Sequence, residues 1–302
     1  MARTMSWEPL PDQEWQPTIR SLHMWTQIVG KIRLALADPL PHWWHVALYV
    51  SVRGLRTSAI PYGGGLLELE FDLREHLLGL RTSDGDVRSL PLRPMPVADF
   101  YAEVLDMVAA ARVDVRIWPV PVEVPEAIPF ERDTSPGGYV PEHARALHTA
   151  LINADRVLTR FRGLYLGKTS PVHFFWGGFD LAETRFSGRP APPHPGGIPN
   201  CPPYVMEEAY SQEVSSAGWW PGSADVGPAF YSYMYPEPAG FAAAQVEPAS
   251  AFYLQGLGDF VLPYSDAVAS EDPDATVLAF LQATYSAGAR LAGWDRGALE
   301  RR

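Results

Sequence analysis

The sequence predicts an α+β protein of two similar halves, each a helix, an antiparallel sheet and a second helix, packed as one compact unit. Three observations lead to this fold class. Segments with helical apolar spacing flank short alternating runs that end at turn residues. Blocks of the first half recur in the same order in the second half. The chain has 302 residues, 47% of them hydrophobic, which suffices for a large core.

The recurring blocks are three. RSLHMWTQIVGKIR (20–33) is similar to RALHTALINADRVLTR (145–160), since both open R-x-L-H. PHWWHVALYVSVRGLRTS (41–58) is similar to PVHFFWGGFDLAETRFS (171–187), and SDGDVRSLPL (83–92) to GLGDFVLPY (256–264). We interpret them as an internal duplication. The alternative is that unrelated helix–sheet–helix segments share such patterns.

The first half spans 1–125. A helix is predicted over 18–36, after Pro17 and before Asp38-Pro39. Alternating apolar residues and turn glycines predict strands over 43–52, 66–73, 77–82 and 87–92, followed by a helix over 97–111. Residues 113–124 alternate but contain Pro119 and Pro121, which predicts an edge strand or an extended linker.

A linker over 126–140 leads into the second half, 141–302. The same criteria predict a helix over 141–162, strands over 172–187, 229–235, 250–255 and 259–263, and a helix over 273–291.

The two halves differ most in one connection. Ser187 to Asp259 is longer by 44 residues (72 against 28) than Ser58 to Asp86. Much of the excess lies in 188–228, which is rich in proline and aromatic residues. A long segment of this kind is typical of a functional loop or lid. We expect it to pack on the protein, with a small helix around 203–213.

Composition restricts the partners and the compartment. The net charge is −11 and the 24 basic residues are dispersed, which disfavours binding to nucleic acid or to an anionic membrane. No apolar stretch approaches the ~18 residues of a membrane helix, and no secretory signal is visible. Cys201 is the single cysteine, so no internal disulfide can form. We expect a soluble cytoplasmic protein, and its oligomeric state is left open.

Two histidines are the first candidates for chemistry. Aligning Pro41 with Pro171 pairs His45 with Phe175 and Trp43 with His173. On regular strands these residues belong to equivalent faces, so His45 and His173 are expected to line one cleft between the halves, as bases, hydrogen-bond donors or metal ligands. The alternative is that both are buried and bonded to the backbone.

Further candidates come from the long segment and the aromatic strands. Glu208 and Glu213, folded over the two histidines, would complete an acid–base set or a histidine–carboxylate metal site. Their spacing is not diagnostic, and the sequence favours the alternative that they are solvated glutamates on a helix. The candidate ligand-binding residues are Trp43, Phe175, Arg185, Tyr210 and Trp219. No phosphate-binding glycine motif, H-E-x-x-H, G-x-S-x-G or C-x-x-C occurs, and no cofactor is indicated.

Several long blocks carry a resemblance to a known family. HWWHVALYV, SPVHFFWGGFDLAETRFSGRPAPPHPGG, EAYSQEVSSAGWWPG and FYSYMYPEPAGF resemble a bacterial family catalogued as domain of unknown function 5996. The similarity covers nearly the whole chain. It implies a bacterial source and no particular activity, cofactor or catalytic residue.

These observations predict a protein that binds or transforms a small molecule in an aromatic, histidine-lined cleft between the halves, covered by 188–228. One alternative is a non-catalytic module that binds a protein through exposed aromatics of that segment. This alternative predicts a contiguous apolar patch and no deep pocket. Another alternative is a metal-dependent enzyme that uses histidine and carboxylate ligands.

Overall fold

The first half is a helix, a six-stranded antiparallel sheet and a second helix. A computed structural model describes residues 6–11, 13–223 and 226–301. Its first long helix is α1 (Gln16–Leu36), and the first sheet has the order β1-β2-β4-β5-β6, with β3 paired to β4. The bounds are β1 (Tyr49–Val50), β2 (Gly54–Arg56), β3 (Ile60–Tyr62), β4 (Gly65–Asp72), β5 (Leu77–Thr82), β6 (Val87–Pro91) and α2 (Val97–Ala110).

The second half repeats this order of elements. Its sheet also has six antiparallel strands, in the order β11-β12-β10-β9-β8-β7. The helices are α3 (Pro141–Gly163), α4 (Pro203–Ala209), α5 (Tyr264–Ala269), α6 (Pro273–Leu291) and α7 (Arg296–Leu299). The strands are β7 (His173–Phe175), β8 (Asp180–Pro190), β9 (Gln212–Trp220), β10 (Ala229–Tyr235), β11 (Phe252–Leu254) and β12 (Asp259–Pro263). The α+β fold class is therefore confirmed, and the common order is compatible with a duplication.

The two sheets meet at their edge strands. The backbone N–H groups of Leu48 and Phe174 each donate to the other residue's carbonyl at 2.8 Å, which forms an antiparallel bridge between β7 and the residue before β1. Both side chains are buried, and one continuous core covers both halves. Among the described residues, no helix is long and apolar enough to cross a membrane.

Most predicted elements lie within two residues of the bounds expected from the sequence, but the single strand predicted over 172–187 is divided by a turn into β7 and β8. The strands over 77–82, 229–235 and 259–263 and the helix over 273–291 are confirmed without change. Residues 113–128 form neither helix nor strand, so the extended linker is the correct alternative there. The linker predicted over 126–140 includes a short 3-10 helix, Phe130–Arg132, whose Phe130 is buried.

The strand predicted over 43–52 is wrong in its first part. Residues Pro41–Val46 form a 3-10 helix, interrupted at His42 and Trp43, whose φ angles are 59° and 61°. Pro41 favours a helical start, and the strand β1 begins only at Tyr49. The alternation argument that placed His45 and His173 on equivalent strand faces therefore does not hold.

The segment 188–228 is only partly a loop. Strand β8 extends to Pro190, and β9, a central strand of the second sheet, occupies Gln212–Trp220. The helix expected around 203–213 is shorter and ends at Ala209. The excursion that leaves the sheet is thus limited to 191–211.

Candidate functional site

A cavity of about 1070 Å³ lies between the second sheet and elements of the first half. This volume is slightly above the usual range for small-molecule sites, which is about 300–1,000 Å³. Its floor is one face of strands β7, β8, β9, β10 and β12. Its other walls are α1, the 3-10 helix Pro41–Val46, the extended segment 116–123, and 198–210 with α4.

Strand alternation determines which floor residues face the cavity. On β8, residues Asp180, Ala182, Thr184 and Phe186 line it, whereas Arg185 does not. The same period of two selects Val214, Ser216 and Trp220 on β9, Ala229, Tyr231 and Tyr233 on β10, and Asp259 and Val261 on β12. The floor therefore presents polar groups between apolar ones.

Three carboxyl groups lie among these walls. Asp180 accepts a hydrogen bond from the Tyr231 hydroxyl, which passes over Gly218; a Cβ there would lie 2.5 Å from that hydroxyl oxygen. Burial, countered by the Tyr231 bond, raises the pKa of Asp180 to about 6. Burial and then the charge of Asp180 raise the pKa of both Glu123 and Asp259 to about 7. These groups can accept hydrogen bonds or exchange a proton near neutral pH.

Glu123 is held in an unusual backbone conformation. Its φ is 61°, in the left-handed region that non-glycine residues seldom adopt. The Gln27 side chain on α1 bonds both the N–H and the carbonyl of Val122 at 2.9 Å, and the Glu123 N–H donates to the Pro199 carbonyl at 2.7 Å. These contacts direct the Glu123 carboxylate into the cavity. The cavity walls lie around this carboxylate, but the side chain remains exposed to water.

The pair Gly177-Gly178 makes room for this carboxylate. A Cβ at Gly177 would lie 2.1 Å from Glu123 Oε1, and one at Gly178 would lie 2.8 Å from Asp180 Oδ1. The carbonyl of Gly177 accepts a hydrogen bond from His23 Nε2 at 2.8 Å. The turn between β7 and β8 is therefore a built part of the cavity wall.

The amine of Lys31 reaches the cavity from α1. Lys31 is only 3% exposed, and its Nζ lies 4.8 Å from the ring centroid of Trp118 and 5.6 Å from that of Trp176. Burial lowers the pKa of this amine to about 8. Cys201, another lining residue, has its thiol pKa raised by burial.

The predicted ligand-binding residues divide into two groups. Trp43, Phe175 and Tyr210 line the cavity, and Tyr210 shares a 2.7 Å hydrogen bond with Tyr233. Trp219 and Arg185 are fully buried outside the lining. The Arg185 guanidinium lies 3.4 Å from the Phe161 ring centroid and 3.8 Å from the Glu183 carboxylate.

The two predicted histidines occupy separate environments. His45 Nδ1 accepts from the Leu40 N–H at 3.1 Å, and its ring contacts Trp43. His173 is completely buried, lies 3.4 Å from the Tyr49 hydroxyl, and has its pKa lowered by burial to about 3. Neither imidazole is part of the cavity lining.

The predicted carboxylates also lie elsewhere. Glu208 is exposed on α4. Glu213 accepts hydrogen bonds from Ser187 at 2.9 Å, Arg189 at 2.8 Å and Trp294 at 3.1 Å. It borders a smaller pocket of about 140 Å³. In the parts of the chain that are described, no group of three or more His, Cys, Asp or Glu residues is placed to hold a metal ion.

Sequence reasoning missed Glu123, Asp180, Asp259 and Lys31 as a set. They come from four separate elements, so no local spacing connects them. The pair Gly177-Gly178 was the one visible signal, because adjacent glycines within an aromatic run indicate close approach by another group.

The fold and the cavity define an α+β protein with an aromatic cavity between its halves. Residues 7–301 match the family described as Family of unknown function (DUF5996), and the chain belongs to this family. The resemblance carried by the aromatic blocks is thereby confirmed. No curated protein and no solved structure matches the chain.

Proposed function

We propose that this protein binds a small, largely apolar molecule in the cavity between its halves. The observation that carries the proposal is the size of the cavity, about 1070 Å³, together with its aromatic walls. Trp43, Phe175 and Tyr210 contact the apolar body of the molecule, as do further cavity aromatics such as Trp44 and Trp220.

The carboxyl cluster of Glu123, Asp180 and Asp259 contacts a polar part of the same molecule. Among the described residues, none of these carboxylates has an ion pair with Lys, Arg or His, although Asp180 has its tyrosine partner. Their oxygens face the cavity and are reached by water, so a ligand that donates hydrogen bonds can take the place of water there.

The interaction-module alternative has less support. It predicted no deep pocket, whereas the excursion 191–211 covers a large one. Tyr204, 60% exposed, lies on this excursion, but its ring contacts Trp43, which lines the cavity. The aromatics of the excursion thus serve partly to enclose the cavity.

A fluorescent apolar probe tests the proposal. N-phenyl-1-naphthylamine, which is neutral, is titrated into the wild-type protein and into Val205→Trp, a half-buried position on α4 that lines the cavity. The matched control is Glu207→Trp, which is exposed on the same short helix and outside the lining.

We expect saturable binding at one site per chain, weakened at least about 10-fold by Val205→Trp and unchanged by Glu207→Trp, because only the first indole projects into the cavity and competes with the probe for space. Absence of saturable binding to the wild-type protein, or equal binding by all three proteins, would overturn the proposal.

A further inference from the structure

We propose that Lys31 binds the acidic group of the molecule in the cavity, so that the natural ligand is an organic acid with an apolar body. This inference rests on the proposed function, because it assigns the chemical class of the ligand bound there. It is carried by the position of one amine that is buried, faces the cavity and has no anionic partner among the described residues.

Among the described residues, the buried amine of Lys31 has no partner of opposite charge. Lys31 is 97% buried, yet within the described ranges its Nζ has no hydrogen-bond acceptor and no carboxylate at salt-bridge distance. An ammonium group carries three donors, and burying it unpaired is costly. An anion in the adjacent cavity would supply the missing acceptors.

Two aromatic rings offset part of the cost of burying the Lys31 charge. The ring faces of Trp118 and Trp176 lie at 4.8 and 5.6 Å from Nζ, within the range of cation–π attraction. Aromatic faces stabilise the charge but accept no strong hydrogen bonds. The donors of the ammonium group therefore stay available to a ligand.

The Trp176 ring is held in place beside Lys31 by its neighbours. A Cβ at Gly30 would lie 2.2 Å from Trp176 Nε1, so glycine is required for this ring to lie against α1 beside Lys31. Trp176 Nε1 also donates to the Val46 carbonyl at 2.7 Å. The ring cannot rotate away without losing that bond.

The cavity thus has two unlike polar regions. The carboxyl cluster accepts hydrogen bonds, and Lys31 donates them to an acid. Since carboxylates repel an anion, the acidic group of the ligand lies toward Lys31 and away from Glu123, Asp180 and Asp259.

Two probes separate this inference from the proposed function. The anionic probe is 8-anilinonaphthalene-1-sulfonate and the neutral probe is N-phenyl-1-naphthylamine, which share an arylamine body and differ in the acid group. Both are titrated into the wild-type protein, Lys31→Met and Lys31→Arg. Arg20→Met is the control, because Arg20 is an exposed cationic residue on the same helix and lies outside the cavity lining.

We expect Lys31→Met to weaken binding of the sulfonate about 10-fold or more and to change binding of the neutral probe less than about 2-fold. Lys31→Arg keeps the charge and weakens the binding of the sulfonate less, while Arg20→Met leaves both affinities unchanged. Retained binding of the neutral probe also demonstrates that the variants are folded.

Equal affinity of wild-type and Lys31→Met for the sulfonate would overturn the inference and leave the proposed function intact. Equal losses for both probes would likewise overturn it, since the effect would then come from shape and not from charge. Failure of the neutral probe to bind the wild-type protein would instead overturn the proposed function.

Discussion

The imidazoles of His23 and His148 make reciprocal contacts, each reaching from the first long helix of its own half to a hairpin turn of the other half. His23 Nε2 lies 2.8 Å from the Gly177 carbonyl oxygen, and His148 Nε2 lies 3.0 Å from the Ser51 carbonyl oxygen. Both belong to the R-x-L-H segments that suggested a duplication. The reciprocity is compatible with a duplication and assigns these histidines a structural role.

Replacing either histidine with alanine should destabilise the protein by about 1–3 kcal/mol, because a carbonyl loses its donor. Urea denaturation measures this, with Arg20→Ala, exposed on the same helix as His23, as the control.

Burial lowers the pKa of His23 from 6.5 to about 4, so the unfolded chain binds more protons between these values. The cost of His23→Ala should therefore shrink as pH falls from 7 toward 4. A cost that grows over that interval would contradict this account.

Replacing Glu123 with glutamine should stabilise the protein above pH 7. The pKa of Glu123 is about 7 in the folded protein against 4.5 ordinarily, so the folded state holds more protons between these values. The contribution of Glu123 to stability is thus fully present below pH 4.5 and is lost as pH rises through 7. The expected gain at pH 8 is about 1 kcal/mol, since water in the cavity screens the charge.

Denaturation at pH 4.5 and at pH 8 tests this, with the exposed Glu126→Gln as control. The stabilisation by Glu123→Gln should be larger at pH 8. Equal effects of Glu123→Gln at the two pH values would refute the assignment.

Gly177→Ala should displace the Glu123 carboxylate, because the added Cβ would lie 2.1 Å from Oε1. The side-chain end can move, so the cost in folding free energy is small. Once displaced, the carboxylate is less enclosed. At pH 8, Glu123→Gln should therefore stabilise the Gly177→Ala protein less than it stabilises the wild-type protein. Gly64→Ala, with open space around the new atom, is the control. An undiminished effect of Glu123→Gln in the Gly177→Ala background would mean that Gly177 does not position Glu123.

Gly30→Ala should destabilise the protein although it replaces a glycine within a helix. Such a change ordinarily stabilises a helix by about 0.5–1 kcal/mol. Here the new Cβ would meet the Trp176 ring at 2.2 Å, so we expect a loss of about 1–3 kcal/mol. Gly163→Ala, at the end of α3 with nothing within 4 Å, is the matched control and should be neutral or stabilising. Thermal unfolding of both variants measures the difference, and a higher melting temperature for Gly30→Ala would count against the packing described for Trp176.

Local patterns predicted most of the secondary structure. Strong alternation and helical spacing determine β5, β10, β12 and α6, where neighbours along the chain are enough. The pattern failed at His42 and Trp43, whose positive φ angles depend on packing against distant residues: His42 Nδ1, for instance, lies 3.1 Å from the Ala209 carbonyl oxygen. It also failed at β9, whose place in the sheet is set by its partners β8 and β10.

The candidate site was less accessible to sequence reasoning. A cleft between the halves beneath part of 188–228, with Trp43, Phe175 and Tyr210, was within reach because aromatic residues and a long connection are visible in the sequence. Glu123 and Lys31 were not, since a single glutamate in an extended segment and a single lysine on a helix resemble ordinary surface residues. The burial of Lys31 and the position of Glu123 in the cavity wall arise only when the two halves pack together.

The central claim is that the cavity holds an apolar small molecule, and a crystal structure of the protein with N-phenyl-1-naphthylamine tests it most directly. The account predicts density for one probe molecule between the second sheet and α4, in contact with Trp43 and Phe175. Density only on the outer surface, or a cavity filled by rearranged side chains with no room for the probe, would contradict it.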